Sequence, residues 1–263
     1  MPQAHDWHRI ITADSQLSSD AAQQLRESGF VVIPGPLTAG GCEQLSDAYD
    51  RAAALADPAD VRVSRSGSQT RIDDFVNRGP EFDWIYIYPP LLAACCQIIG
   101  GPFMLSGTRA RTLNSGAPEV EALHVDVKHR ADGWPLVGCI LMVDAFTAEN
   151  GATRFVPGSH LQPREPSDVM SNPKDVHDDQ FLACGAAGSL IIFDASVWHS
   201  HTANFSARPR RSIQAHFVPR QARAATDQSV RMRSETYQRI SNLAKYVLNV
   251  GNEWQVNHHL LAQ

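Results

Sequence analysis

Cysteine is scarce in this sequence of 263 residues, and what there is does not pair. The five cysteines (Cys42, Cys95, Cys96, Cys139, Cys184) form an odd, scattered set without a CxxC motif. That argues against a disulfide framework and against a structural zinc site. Adjacent Cys95 and Cys96 follow Leu-Leu-Ala-Ala and read as reduced core residues, which points to a cytoplasmic protein. Basic excess is also missing: 23 Lys and Arg stand against 28 Asp and Glu, for a net charge of -5. No electrostatic footprint for nucleic acid follows from such a balance. Residues 1–19 are polar and lack an apolar signal core. No window is expected to reach the length of a membrane span, so no membrane partner is expected. Hydrophobic content of 43% with 19% charged residues supports a real core. One domain over residues 1–263 is expected.

The pattern divides the chain into three parts. The first, about residues 15–100, is helical. Residues 18–28 read as a helix capped by Ser18 or Ser19 and closed by Gly29. Residues 30–33 form a β-branched strand stopped by Pro34-Gly35-Pro36. A second helix is expected over 38–56, and a third helical region over 82–99, with Pro89-Pro90 opening its second half. Between them, residues 61–79 are polar and carry Arg62, Arg65, Arg71 and Arg78. They read as an exposed loop; the sharper alternative is a flap that touches an acidic substrate.

The second part, about 101–220, is a run of short strands. Residues 103–113 alternate, with Arg109 and Arg111 on one face. Further strands are expected at the His124 segment and over 136–143, 152–156, 188–193, 197–202 and 211–218. Residues 161–184 read as a long polar connection. The third part, about 221–263, is a partly helical tail with an apolar stripe of Ile240, Leu243, Val247 and Leu248, suited to core or dimer contact. Many short strands preceded by helices predict a sandwich or barrel.

Chemistry concentrates at Leu123-His124-Val125-Asp126. On a strand, His124 and Asp126 share a face. An imidazole beside a carboxylate suits a first-row divalent metal, and two histidines with one carboxylate form the facial triad of non-haem iron oxygenases. His199 follows a buried strand and the turn Asp194-Ala195-Ser196, which makes it the candidate for the third ligand. His201 competes with it. An HxD pair alone is a weak signal.

The signal sharpens in combination. Ser28-Gly29-Phe30-Val31-Val32-Ile33-Pro34-Gly35 and His124-Val125-Asp126 are followed by Glu149-Asn150-Gly151-Ala152-Thr153 and Phe155-Val156-Pro157-Gly158-Ser159-His160. Then come Gly188-Ser189-Leu190-Ile191-Ile192-Phe193-Asp194, His199, Asn204 and Arg208-Pro209-Arg210-Arg211. In this order, over about residues 20–220, the set resembles the phytanoyl-CoA dioxygenase family of iron(II)- and 2-oxoglutarate-dependent oxygenases. The resemblance implies a mainly β fold with flanking helices around a double-stranded β-helix (jelly-roll, cupin-like) core.

It further implies Fe(II) on His124, Asp126 and His199, with 2-oxoglutarate and O2 as cosubstrates. The family's cosubstrate arginine falls at Arg210, and a guanidinium grips a carboxylate through two parallel hydrogen bonds. Arg211 would face the other way. Relatives often carry a small hydroxyl residue two positions after the distal histidine; here His201 stands there, so His201 or Thr153 would make the second contact. Of Arg109 and Arg111, Arg111 is the preferred contact. Ile140 and Met142 would wall the cavity, and Lys128 and Trp134 would face substrate. His160 is expected at a structural turn, while His177, His216, His258 and His259 show no partners in the sequence.

Halogenating relatives replace the acid of the triad. Asp126 therefore implies an oxygenase that couples decarboxylation of 2-oxoglutarate to succinate and CO2 with C–H oxidation, above all hydroxylation. The expected partner is a small or medium organic molecule, with a homodimer as a candidate assembly. The alternatives are a metabolite-binding or sensing protein on the same fold, an acyl-CoA hydroxylase, or a zinc hydrolase.

Overall fold

The computed structural model describes residues 4–14, 16–128 and 135–251. Its strands form two antiparallel sheets. The larger contains β1 (Phe30–Ile33), β2 (Val61–Val63), β3 (Gln69–Asp73), β4 (Phe103–Leu113), β5 (Val137–Met142), β8 (Leu190–Asp194) and β10 (Arg210–Pro219). The smaller contains β6 (Thr153–Phe155), β7 (Phe181–Ala183) and β9 (His199–His201). Spatial order is β1-β8-β5-β10-β4-β3-β2 in the first and β7-β6-β9 in the second. From β5 onward the chain passes back and forth between them, the winding of the expected jelly roll.

Alternation along the central strands builds two separate interiors. On β5, Val137, Cys139 and Leu141 join the main core, while Ile140 and Met142 face the small sheet. On β8, Leu190 and Ile192 take the first role, Ile191 and Phe193 the second. On β10, Ile213, Ala215 and Phe217 enter the main core. Such strands are apolar on both faces because both faces are covered.

The helices are α1 (Ala4–Ala13), α2 (Ser19–Ser28), α3 (Ala39–Ala54), α4 (Pro89–Ile99), α5 (Pro166–Val169), α6 (Gln228–Arg231), α7 (Ser234–Arg239) and α8 (Asn242–Val247). Ser18 caps α2 by accepting from the Ala21 amide, and Gly29 closes it in the left-handed region at φ 82°. Thr38 caps α3 in the same way through the Gly41 amide. Helix α4 buries Leu91, Leu92, Ala94 and Cys95 in the main core. All five cysteines are free, and burial pushes the Cys95 and Cys139 thiols up, away from thiolate reactivity.

Several expectations change. Residues 61–79 are not a loop: β2 and β3 form a hairpin on the edge of the large sheet. The polar connection contains β7. Helix α1 lies in the stretch read only as polar; its Trp7 stacks on Tyr246 at 5.8 Å. The His124 segment makes an isolated bridge instead of a strand. Contrary to expectation, Pro80–Ile99 is long and apolar enough by length and composition to cross a membrane. Two 3-10 turns precede α4 within it, and 50% of its apolar window is buried inside the protein. The tail stripe resolves as core, with Ile240, Val247 and Leu248 buried and Leu243 packed against them. His258 and His259 lie outside the described residues.

One glycine conditions the inner face. A Cβ on Gly138 would stand 2.1 Å from Cζ of Phe193, whose ring lies 4.8 Å from that of His199. Gly138→Ala is expected to cost about 1–3 kcal/mol through overpacking. Urea denaturation measures it; an unchanged midpoint would mean that the ring moves aside freely.

Candidate active site

The chemistry-bearing residues meet between the sheets. Strand β9 runs beside β6, with His199 opposite Phe155 and His201 opposite Thr153. Period-two alternation sends both imidazoles to one face. On the other edge of β9, the His124 amide donates to the His199 carbonyl at 3.1 Å, and the His199 amide donates to the His124 carbonyl at 3.0 Å. This reciprocal bridge sets the two rings side by side, with centroids 4.6 Å apart. The chain then bends, and the Asp126 amide donates to the Ala195 carbonyl at 2.9 Å. The carboxylate returns to the rings, with Oδ1 3.8 Å from His124 Nε2 and Oδ2 3.6 Å from His199 Nε2. Ligand atoms of the three residues all lie within 4.8 Å of one another.

A buried cation steadies the approach to this bridge. Arg154 on β6 is 1% exposed. It donates to Ser200 Oγ and to the carbonyls of Glu121, Pro173, Lys174 and Asp175. The Leu123 amide donates to the same Pro173 carbonyl at 2.8 Å.

The donor set fits a metal. A backbone carbonyl only accepts, so the ring protons of His124 and His199 sit on Nδ1, each 2.9 Å from a carbonyl, of Ala122 and Val197 respectively. Both Nε2 lone pairs are left free for a ligand. Burial pushes the His199 pKa down, which favours the neutral ring. Burial opposes the Asp126 carboxylate, but the neighbouring imidazoles of His216, His199 and His124 outweigh it. They hold the group well below the usual carboxylate range. Two neutral nitrogens and one carboxylate suit Fe(II).

A second feature faces the same cavity. Arg210 opens β10, is 2% exposed and lies 4.2 Å over the Phe146 ring. Its Nε has no hydrogen-bond partner among the described residues. Burial and the nearby Arg111 push its pKa down to about 9. A buried cation with an unpaired N–H is an anion receptor. His201 presents an orphan of the opposite kind: Nδ1 bonds the Thr202 carbonyl, and buried Nε2, an acceptor, has no hydrogen-bond partner among the described residues. Burial and Arg111 push its pKa down to about 4. Thr153 lines the cavity across from it.

Arg111 lines the cavity too, but its side chain already bonds Gln69 at 2.9 Å and Glu121 at 3.1 Å. Arg211 faces away, as expected, onto Asp144 and Asp50. Ile140 forms part of the wall, whereas Met142 is fully buried behind it. Lys128 is not in the wall; its side chain is 83% exposed, 3.9 Å from Glu165. Trp134 lies outside the described residues.

The cavity, about 230 Å³, is also lined by Arg71, Arg109, Glu121, Gln214 and His216. His216 was expected to be without a partner, yet its Nε2 is 3.7 Å from Asp126 Oδ2. The alternation of β10 carries the signal: Arg210, Gln214 and His216 fall on one face. Glu121 had no signal in the sequence. Burial would raise its pKa, but Arg111, His201 and His124 hold it at about 2.

A family model, phytanoyl-CoA dioxygenase, matches residues 25–212. The chain belongs to the phytanoyl-CoA dioxygenase family. Family members use Fe(II), 2-oxoglutarate and O2, and this oxygenase is a 2-oxoglutarate-dependent non-haem iron dioxygenase. A dioxygenase of Aspergillus fumigatus is 27% identical over 253 residues, covering 91% of this chain and 80% of its own. An uncharacterised protein of Mycobacterium tuberculosis is 25% identical over 218 residues, covering 79% and 78%. The fold is shared with HygX of Streptomyces hygroscopicus, solved with nickel, 2-oxoglutarate and hygromycin B bound. It has a TM-score of 0.63 at 16% identity, covering 79% of this chain and 90% of HygX.

Glu121 gives a pH test. Its folded pKa of about 2 lies below the ordinary 4.5. The stabilisation, on the order of 3 kcal/mol, is therefore present above pH 4.5 and lost as pH falls toward 2. Urea midpoints followed from pH 7 to pH 3 should fall more steeply for the wild type than for Glu121→Gln. Parallel curves would remove Glu121 from the ion-pair network.

Proposed function

We propose that His124, Asp126 and His199 hold the ferrous ion, and that Arg210 receives the distal carboxylate of 2-oxoglutarate, in an oxygenase that hydroxylates a small or medium organic molecule. The observation that carries this reading is a metal-ready donor set and a buried cation without an anion in one cavity. When bound, the iron supplies, with 2-oxoglutarate and O2, the oxidising power for C–H cleavage.

The chain's own residues have separate tasks. The Ala122 and Val197 carbonyls hold the two imidazoles in one tautomer and orientation. Arg210 offers its paired N–H groups to the cosubstrate, and the Phe146 ring beneath limits its rotation. The Thr153 hydroxyl donates to the same carboxylate; His201, whose ring proton faces the Thr202 carbonyl, presents Nε2 as an acceptor and packs beside it. Arg111, occupied by Gln69 and Glu121, adds positive field more than direct contact. Ile140 and Phe193 give the wall an apolar side that excludes water. Asp126 occupies the place that a halogenase would leave open for a halide, which favours hydroxylation.

Pockets that close around drug-sized ligands run to about 300–1,000 Å³. This cavity is smaller, so a substrate inserts one end of itself, and a CoA thioester is disfavoured. Solved fold neighbours include HygX with hygromycin B and SnoK from nogalamycin biosynthesis, which supports secondary metabolism as the setting. Free cysteines fit the cytoplasm.

The test is succinate formation with Fe(II), ascorbate and 2-oxoglutarate across a substrate panel. His199→Ala is expected to abolish iron binding and turnover. Turnover retained in His199→Ala but lost in His201→Ala would overturn the ligand assignment. Arg210→Ala is expected to raise the 2-oxoglutarate requirement by roughly 30-fold or more, with the iron titration little changed. An unchanged cosubstrate dependence would remove Arg210 from that role.

A further inference from the structure

The large sheet turns three arginines toward the cavity. Arg71 on β3 pairs in register with Arg111 on β4, and Arg109 lies two residues along the same face of β4. Like charges directly opposite one another on a sheet destabilise it. Arg111 has its own compensation, a hydrogen-bonded Glu121. Among the described residues, Arg71 and Arg109 have no such hydrogen-bonded partner. The nearest Glu121 oxygen to Arg71 is at 3.8 Å, on a carboxylate already bonded to Arg111. Asp73 lies 3.9 Å from Arg109 and is shared with Arg62 at 3.7 Å. Both distances exceed hydrogen-bond length. Each side chain is 37% exposed, which places both guanidinium groups at the mouth of the cavity. Burial and the facing Arg111 also push the Arg71 pKa down, the mark of a cation short of anions.

Charge counting narrows what they await. In the site proposed above, the ferrous ion with Arg210 cancels Asp126 with doubly charged 2-oxoglutarate. Arg111 cancels Glu121. Among the described residues, Arg71 and Arg109 remain against an Asp73 that Arg62 shares, a net positive excess. We infer that the substrate carries a carboxylate, received by Arg71 and Arg109 together at the cavity mouth. Two guanidinium forks match the oxygens of one carboxylate with charge-assisted hydrogen bonds. A cation would meet two arginines.

The inference rests on the proposed cosubstrate site, and calorimetry separates the two. The protein is loaded with Mn(II) and saturating 2-oxoglutarate under nitrogen. It is then titrated with straight-chain acids from propanoate to octanoate, with the matching amides and amines, and with propyl phosphate. At least one acid is expected to bind, with its amide weaker by roughly tenfold or more and its amine not binding. Arg71→Gln and Arg109→Gln should each weaken that acid by roughly tenfold or more. Raising 2-oxoglutarate further should leave the acid's affinity unchanged.

An amide, amine or phosphate that binds as tightly as the acid overturns the inference. So does acid binding that survives the double variant, acid binding that falls as 2-oxoglutarate rises, or the absence of binding by any acid. If the wild type fails to bind 2-oxoglutarate in the loading step, the cosubstrate reading falls instead.

Discussion

Two backbone hydrogen bonds, exchanged between His124 and His199, join segments far apart in the chain. One segment leaves the end of the large sheet; the other is a strand of the small sheet. Neither histidine comes from a long element, so no helix or extended ladder fixes their separation. The bridge does, because residues that exchange both bonds in an antiparallel pair are held at a fixed Cα spacing. Once the rings are side by side, the bend after Val125 needs only the Asp126–Ala195 bond to return the carboxylate. The three ligand candidates therefore depend on main-chain pairing more than on side-chain packing.

Electrostatics follows from that placement. Carboxylates at 121 and 126 and guanidinium groups at 71, 109, 111 and 210 line one small cavity. In a partly desolvated space each charge raises the cost of its neighbours. Arg210 carries this most plainly, as a cation held over an aromatic face with an N–H unsatisfied. A structure that keeps such a group unpaired holds binding energy in reserve for an anion. The same principle, in milder form, governs Arg71 and Arg109 at the rim.

Much of this was legible in the sequence where one rule dominated. Strands β4, β5, β8 and β10 announced themselves because their apolar residues alternate or run continuously. The spacing of His124, Asp126, His199 and Arg210 carried the family resemblance. The β2–β3 hairpin was not legible, because its inward face bears Arg71 and so lacks the apolar rhythm of a strand. Partners such as Glu121 and His201, or His216 and Asp126, are remote in sequence, and nothing local marks them. The His124 segment misled in the opposite direction: its apolar run suggested a strand, but one bridge and a bend do the work.

Arg154 has a further consequence. Apart from Ser200 and Gln180, it grips only main-chain oxygens, at Glu121, Pro173, Lys174 and Asp175. What it recognises is the path of the chain and not the identity of its side groups. Residues 173 and 174 can thus diversify their chemistry at the surface while the arc of carbonyls stays where it is; Asp175 adds a charge that favours the Arg154 cation and accepts from Asn172. Insertion or deletion within that arc is another matter, since it would withdraw an oxygen from a cation that is almost wholly buried. Drift in composition is free there; drift in length is not.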